Sequence, residues 1–97
     1  MSDELRVVAT IAARPGSEDA VRDALATLAA ASRDEPGCRS YELFSSQVMA
    51  GTFVTVESWD DQAALDTHLA GSNVAATFAT AGEHLADQPT IHTLTPV

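Results

Sequence analysis

The sequence predicts an α+β fold in which an antiparallel sheet carries helices on one face. Short, apolar, β-branched runs typical of strands alternate with longer segments whose apolar residues recur at helical spacing. Their order is strand, helix, strand, strand, helix, strand, which is the order of a ferredoxin-like β-α-β-β-α-β domain with a four-stranded sheet. The chain has 97 residues, so we expect one domain spanning 1–97.

The first half of the chain supplies a strand, a helix and a second strand. Residues 5–13 are apolar and β-branched, as in a largely buried strand. Ser17 is placed to cap a helix of residues 17 to about 33, whose apolar positions form one stripe. The pair Pro36-Gly37 ends that helix, and residues 38–44 alternate well enough for a second strand.

The second half repeats this arrangement with a broken helix. After a loop, residues 52–59 form the clearest strand, and the acids at 60 and 61 can start a second helix. Gly71-Ser72-Asn73 interrupts it, and Ser72 can cap a third helical segment. Residues 90–95 form the last strand, with Ile91 and Leu94 as its apolar positions.

One face of the predicted sheet has no helix to cover it. Val54 and Val56, or the residues that alternate with them, would lie on that face and form an apolar patch. Only 5% of the residues are aromatic, so the core of one chain is small in volume. We therefore expect a homodimer through the open sheet face, which makes a dimeric α+β barrel.

Charge and cysteine content exclude several classes of partner. The net charge of −9 would repel nucleic acid and anionic membrane surfaces. Cys38 is the only cysteine, and the residues after Met1 lack the pattern of a signal peptide, which favours a cytoplasmic protein. No apolar run is long enough for a membrane span.

Three segments carry a resemblance to a known family. The antibiotic biosynthesis monooxygenase family has a second-strand signature that resembles Glu35–Leu43. Its Glu-x-Trp strand, followed by an Ala-Leu-x-x-His helix, resembles Phe53–Leu69, and its first strand–helix junction resembles Arg14–Glu18. The similarity extends from about Leu5 to Val97. It implies the ferredoxin-like fold, while the reaction stays open, because such a scaffold serves several chemistries.

The resemblance implies oxidation of a quinol-like or polyphenolic, anthrone-type aromatic small molecule by O₂. Flavin, nicotinamide and phosphate-loop fingerprints are missing, so the expected cofactor is none. Relatives that degrade haem carry a second His after the helix and an Asn on the first strand. This chain has Gly71-Ser72-Asn73-Val74 and Ala9 there, which disfavours haem.

His68 and Glu57 are the candidate catalytic residues. His68 lies on the apolar stripe of the second helix, and imidazole titrates near neutral pH, so it can act as a base on a phenol. It can equally be a half-buried His bound to backbone or to an acid. Glu57 is surrounded by apolar residues, so it either has a place in a cavity or forms an ion pair with Arg6 or Arg39.

Six further residues are candidates for contact with a substrate. Trp59 can stack on a planar ring and Tyr41 can donate a hydrogen bond, although both also suit core packing. The rest have a structural alternative as core or cap residues. The full set is Trp59, Tyr41, Phe44, Phe53, Asn73 and Phe78.

Two other functions fit the same pattern. The first is a small-molecule isomerase or a non-catalytic ligand-binding domain on the same dimeric scaffold. The second is a structural or interaction domain, for which we would expect no cavity beside Trp59.

Overall fold

The computed structural model describes residues 3–97 and has the predicted order of elements. The sheet order is β2-β3-β1-β4, with antiparallel neighbours throughout. The second helix is broken in two, as predicted, and a single 3-10 turn follows the second part. The elements are β1 (Leu5–Ala12), α1 (Glu18–Arg33), β2 (Cys38–Ser45), β3 (Thr52–Trp59), α2 (Gln62–Leu69), α3 (Ser72–Ala81), the 3-10 turn (Gly82–His84) and β4 (Thr90–Leu94).

The core lies between the helices and one face of the sheet. Every second residue of the two central strands points toward the helices and is buried, as the alternation of a strand requires. On β1 these are Val7, Ala9 and Ile11, and on β3 the row begins with Phe53 and ends with Trp59. The predicted fold class is therefore confirmed, with all helices on one layer and the sheet on the other.

Helix α1 contributes the largest apolar stripe to this core. Its buried residues recur at intervals of three and four, which places them on one side of the helix. Leu25 and Leu28 pack in one cluster with Ile11 and Phe53. A second cluster, around Trp59, is where the polar side chains of the candidate site lie.

Two of the three helix starts differ from the sequence prediction. Ser17 precedes α1 as expected, but its hydroxyl makes no capping bond and instead hydrogen-bonds His84 Nδ1 at 3.0 Å. At α3 the capping residue is Gly71, so the predicted cap, Ser72, is the first residue of the helix. Asp61 caps α2 as expected, because its Oδ1 accepts from the amide of Ala64 at 2.9 Å.

The turn between α1 and β2 brings that loop close to α2. Gly37 has a φ of +83°, which is unfavourable for residues with a side chain. A Cβ at Gly37 would lie 2.6 Å from the Cβ of Ala64 in α2. The carbonyl of Gly37 also accepts from the amide of Asp60 at 2.8 Å. Glycine is therefore required here both by the turn and by the close approach of α2.

The other face of the sheet is open, with apolar residues at its centre and polar ones such as Glu42 and His92 toward its edges. Cross-strand pairing places Phe44, Val54 and Thr10 in one row of it, and Val56 and Val8 in the next. Phe44 is 49% exposed, and Leu94 on the edge strand β4 also lies on this face. None of the helices formed by residues 3–97 has the length and apolar character that a membrane crossing needs.

Candidate active site

A narrow void, which we call the site void, lies between the helices and the sheet. Its volume is about 50 Å³, enough for a few water molecules. Leu69 and Ile91 border it and are 40% and 47% exposed, so the void reaches the surface between α2 and β4. Its polar lining residues are Tyr41, Thr55, Glu57 and His68, and the rest of the wall is apolar.

A larger groove of about 230 Å³ runs between α1 and α3, but it carries no titratable side chain. Alanine and threonine residues form most of its walls, with Leu28 and Asn73 among the others. Since acid–base chemistry needs a titratable group, the site void is the better candidate for an active site.

His68 lies in the last turn of α2 and is only 3% exposed. Its ring packs against Trp59, with ring centroids 4.6 Å apart, and against Tyr41, with centroids 5.7 Å apart. Leu65, three residues earlier in α2, is buried in the same cluster and holds the helix on the core. The imidazole therefore forms part of the wall of the site void, with an indole packed beside it.

The carboxylate of Glu35 holds the other side of this imidazole. Glu35 Oε1 is 2.9 Å from His68 Nδ1, and Glu35 Oε2 accepts from the Asn73 side-chain amide at 2.9 Å. Glu35 lies in the turn after α1, so one carboxylate connects that turn to α2 and α3. This contact matches the expected His bound to an acid, and it is compatible with a role as base through the other ring nitrogen.

Glu57 is buried in β3 and is satisfied by its neighbours on the same face. Its Oε2 accepts from Thr55 Oγ1 at 2.7 Å, and its Oε1 accepts from Trp59 Nε1 at 2.9 Å. Two donors to a carboxylate offset much of the cost of burial. The ion pair expected as one alternative is wrong. Arg39 pairs with Asp60 and Glu4 instead, and Arg6 lies on the opposite face of the sheet from Glu57.

Tyr41 lines the site void from β2 and is 4% exposed. Burial raises the pKa of its phenol, and the negative charge of Glu57 raises it further, while Thr55 acts in the opposite direction to a lesser extent. The phenol therefore keeps its proton at neutral pH and can donate a hydrogen bond.

Comparison with known proteins identifies the family. The sequence pattern of the antibiotic biosynthesis monooxygenase family matches residues 5–87. The chain belongs to this family. The Mycobacterium tuberculosis protein named Putative monooxygenase Rv0793 is 31% identical over 97 residues, which is 100% of this chain and 95% of the relative.

Solved structures agree with this assignment. The structure of Rv0793 has a TM-score of 0.88 at 31% identity and covers 97% of this chain and 95% of its own. PA3566 from Pseudomonas aeruginosa has a TM-score of 0.88 at 34% identity, covering 100% and 97%. A Caulobacter crescentus structure, named as a putative antibiotic biosynthesis monooxygenase, has a TM-score of 0.90 at 29% identity, covering 99% and 92%. Together with the family match, they support a monooxygenase-like function.

The structure brings four of the eight predicted site residues of this family member to the site void. They are His68, Glu57, Tyr41 and Phe78. Their roles in catalysis stay predictions. The other four do not line it, each for a separate structural reason.

Trp59, Phe53 and Asn73 lie near the site void without lining it. Trp59 is fully buried behind His68, so its ring has no free face for stacking on a substrate. Phe53 packs in the core cluster at the other end of β3. Asn73 donates to Glu35 and borders the outer groove between α1 and α3.

Phe44 lies on the opposite face of the sheet, so its placement in the pocket is wrong. It pairs with Val54 on the open face, whereas Tyr41 points toward the helices. Tyr41 and Phe44 are three residues apart, and a regular strand sends such residues to opposite faces. This spacing in the sequence already indicates that Tyr41 and Phe44 lie on opposite faces of the sheet.

Sequence reasoning missed Glu35 as a partner of the site and Leu69 and Ile91 as its mouth. Glu35 stood in a segment that resembles the family, but its spacing to His68 predicts no contact. Within residues 3–97, no three His, Cys, Asp or Glu side chains come together in a group able to hold a metal ion.

Proposed function

We propose that this protein is a cofactor-independent monooxygenase that oxidises a quinol-like or polyphenolic, anthrone-type small molecule with O₂. The observation that carries the proposal is a buried imidazole, His68, in the wall of an otherwise mostly apolar void. An apolar wall with a few polar groups suits an aromatic ring that bears hydroxyl groups.

The chemistry starts with loss of a phenolic proton. His68 accepts that proton, and the O–H bond of the substrate breaks to give an electron-rich anion. This anion passes one electron to O₂, and the resulting radicals combine to form a carbon–oxygen bond. The O–O bond of the peroxide then breaks, one oxygen leaves as water, and the other stays on the ring. A naphthoquinol thus becomes a hydroxynaphthoquinone, with one O₂ consumed and one water released, and the substrate supplies all electrons.

Among the titratable residues of the site void, His68 is the best suited to act as the base. Both oxygens of Glu57 already accept hydrogen bonds, from Thr55 and Trp59, so this carboxylate is engaged by side chains of its own strand. Tyr41 keeps its proton and can donate it as a hydrogen bond to the oxyanion that develops on the substrate.

A substrate of this size requires the site void to widen. Binding pockets for small molecules usually enclose about 300 Å³ or more, whereas this void holds about 50 Å³. The wall at its mouth is formed by Leu69, at the end of α2, and by Ile91, on an edge strand with no buried residue. Such lightly packed parts have the lowest cost of local opening, so we expect the substrate to enter between them.

Homodimerisation through the open sheet face is part of the proposal. This face has an apolar centre without a covering layer, formed by Phe44, Val54, Val56 and Val8. A second copy with the same surface would bury it, as in symmetric dimers generally. Light scattering on the protein over a range of concentrations measures the mass; a protomer mass at all of them would reject this part.

The oxidation is tested by O₂ uptake with reduced naphthoquinol and with anthrone. We expect uptake of one O₂ per substrate, with one atom of isotopically labelled O₂ in the product. His68→Ala should lower kcat/KM by about 100-fold or more, which is the usual contribution of a general base.

The matched control is His84→Ala, which removes an imidazole far from the site void and should leave the rate unchanged. His84 bonds to Ser17 and Glu83 and has no place in the mechanism. Uptake that does not exceed that of the His68→Ala variant with either substrate would reject the oxidation of this class of molecule.

A further inference from the structure

We infer that Glu35 is a positioning residue, which fixes the imidazole of His68 in the tautomer with its proton on Nδ1. The inference rests on the proposed function for its catalytic meaning, since it concerns the same histidine. Its structural content, the protonated nitrogen of His68, is independent of any substrate.

The contact between Glu35 and His68 determines which imidazole nitrogen carries the proton. Glu35 Oε1 lies 2.9 Å from His68 Nδ1. An ionised carboxylate only accepts hydrogen bonds, so a neutral imidazole must carry its proton on Nδ1 to make this bond. The lone pair is then on Nε2, and none of the residues from 3 to 97 makes a hydrogen bond to that atom. Nε2 is therefore the nitrogen available to take a proton.

The carboxylate of Glu35 is held in place by several hydrogen bonds. Glu35 Oε2 accepts from Asn73 Nδ2 at 2.9 Å, so both oxygens have fixed partners on different helices. The backbone is held as well, since the amide of Glu35 donates to Ser32 and its carbonyl accepts from Cys38. The orientation of the imidazole is thus set by a group that cannot easily rotate.

Glu35 also offsets the positive charge of a protonated His68. Once His68 takes a proton, it becomes a cation that is 3% exposed, which is costly without an anionic partner. Glu35 is that partner, and its side chain is 19% exposed and borders an outer depression beside Thr67 and Ser72. The carboxylate keeps contact with solvent on that side, so the pair is not a fully buried ion pair.

The test is nuclear magnetic resonance of the imidazole nitrogens in the protein without substrate. Variants of His84 and His92 assign the remaining signals to His68. In the unaltered protein at a pH where His68 is neutral, we expect Nδ1 to be protonated and Nε2 to be bare. This measurement requires no variant of Glu35, so it stands even if such a variant fails to fold.

Glu35→Gln should change this pattern. The amide of Gln can donate to Nδ1, which moves the imidazole proton to Nε2. That nitrogen is the one proposed to act as the base, so it can then no longer accept a proton. We expect a gain of the Nε2–H form and a loss of kcat of about 10- to 100-fold with KM less affected. Glu83→Gln is the matched control, because Glu83 is also a carboxylate beside a histidine, His84, but is exposed.

The two readouts separate this inference from the proposed function. A protonated Nε2 in the unaltered protein, or no change of tautomer in a folded Glu35→Gln variant, would overturn the role of Glu35. The expected signals together with no oxidation of any quinol would support the role of Glu35 and count against the proposed activity alone.

Discussion

Replacing Gly37 by Ala should destabilise the protein more than the same change at Gly16, although both have a positive φ. Gly37 has a φ of +83° and Gly16 a φ of +90°, so the cost of the backbone conformation is similar. Their surroundings differ. A Cβ at Gly37 would lie 2.6 Å from the Cβ of Ala64, whereas a Cβ at Gly16 has nothing within 4 Å.

The magnitude follows from two contributions. The left-handed backbone costs an alanine about 1–2 kcal/mol at either position. At Gly37, carbon atoms that normally lie about 3.5–4.0 Å apart would be closer by about 1 Å, so α2 must move. Overpacking of this kind costs about 1–3 kcal/mol. We therefore expect Gly37→Ala to lower the free energy of unfolding by about 2–5 kcal/mol, and Gly16→Ala by about 1–2 kcal/mol.

Urea unfolding followed by tryptophan fluorescence measures both losses, because Trp59 is the only tryptophan and is fully buried. Ala64→Gly completes a double-mutant cycle. Alone it costs about 1 kcal/mol as a glycine in a helix, but combined with Gly37→Ala it restores space for the new methyl group. Equal losses at Gly37 and Gly16, or strict additivity of the Gly37 and Ala64 changes, would refute the reasoning.

The remaining predictions concern two buried hydroxyl groups. The raised pKa of Tyr41 means that the unfolded chain releases this proton first, so stability should fall as pH rises above about 10, by up to about 1.4 kcal/mol per pH unit. Burial also raises the pKa of the Cys38 thiol, which adds a loss of stability that begins near pH 9.0, the ordinary pKa of a thiol. The chain has no lysine, so Tyr41→Phe with Cys38→Ser should flatten the decline in urea unfolding at alkaline pH; an unchanged slope would contradict this. Ser32 Oγ is buried without a hydrogen-bond partner among residues 3–97, so Ser32→Ala should stabilise the protein by about 1 kcal/mol. Ser17→Ala is its control and should be destabilising, because that hydroxyl is bonded; a loss of stability at Ser32 would contradict the reasoning.

The fold could be predicted because each element is encoded by nearby residues. The strand alternation of residues 52–59 and the helical stripe of α1 require only local sequence, and both are present in the structure. The helix break at Gly71 is also local. The helix caps were harder, because Ser17 and Ser72 each have a suitable side chain, and only the packing decides whether it makes the capping bond.

The candidate site could be predicted only in part, for a physical reason. Thr55 and Glu57 share a face of one strand, so their proximity follows from alternation. The contact between Glu35 and His68 joins residues 33 positions apart, and it forms only when the turn after α1 lies beside α2. No periodicity in the sequence reports such a contact, since it depends on where the turn after α1 lies relative to α2.

The two carboxylates near His68, those of Glu57 and Glu35, are bonded to different parts of the fold. Glu57 is bonded to side chains of its own strand, so its removal chiefly affects the wall of the site void. Glu35 lies in a turn and bonds to side chains of two helices, so we expect its replacement to affect the imidazole and to leave the sheet intact. In the proposed mechanism Glu35 acts on the base through one hydrogen bond, so we expect a single substitution at Glu35 to move the proton of His68 without altering the fold.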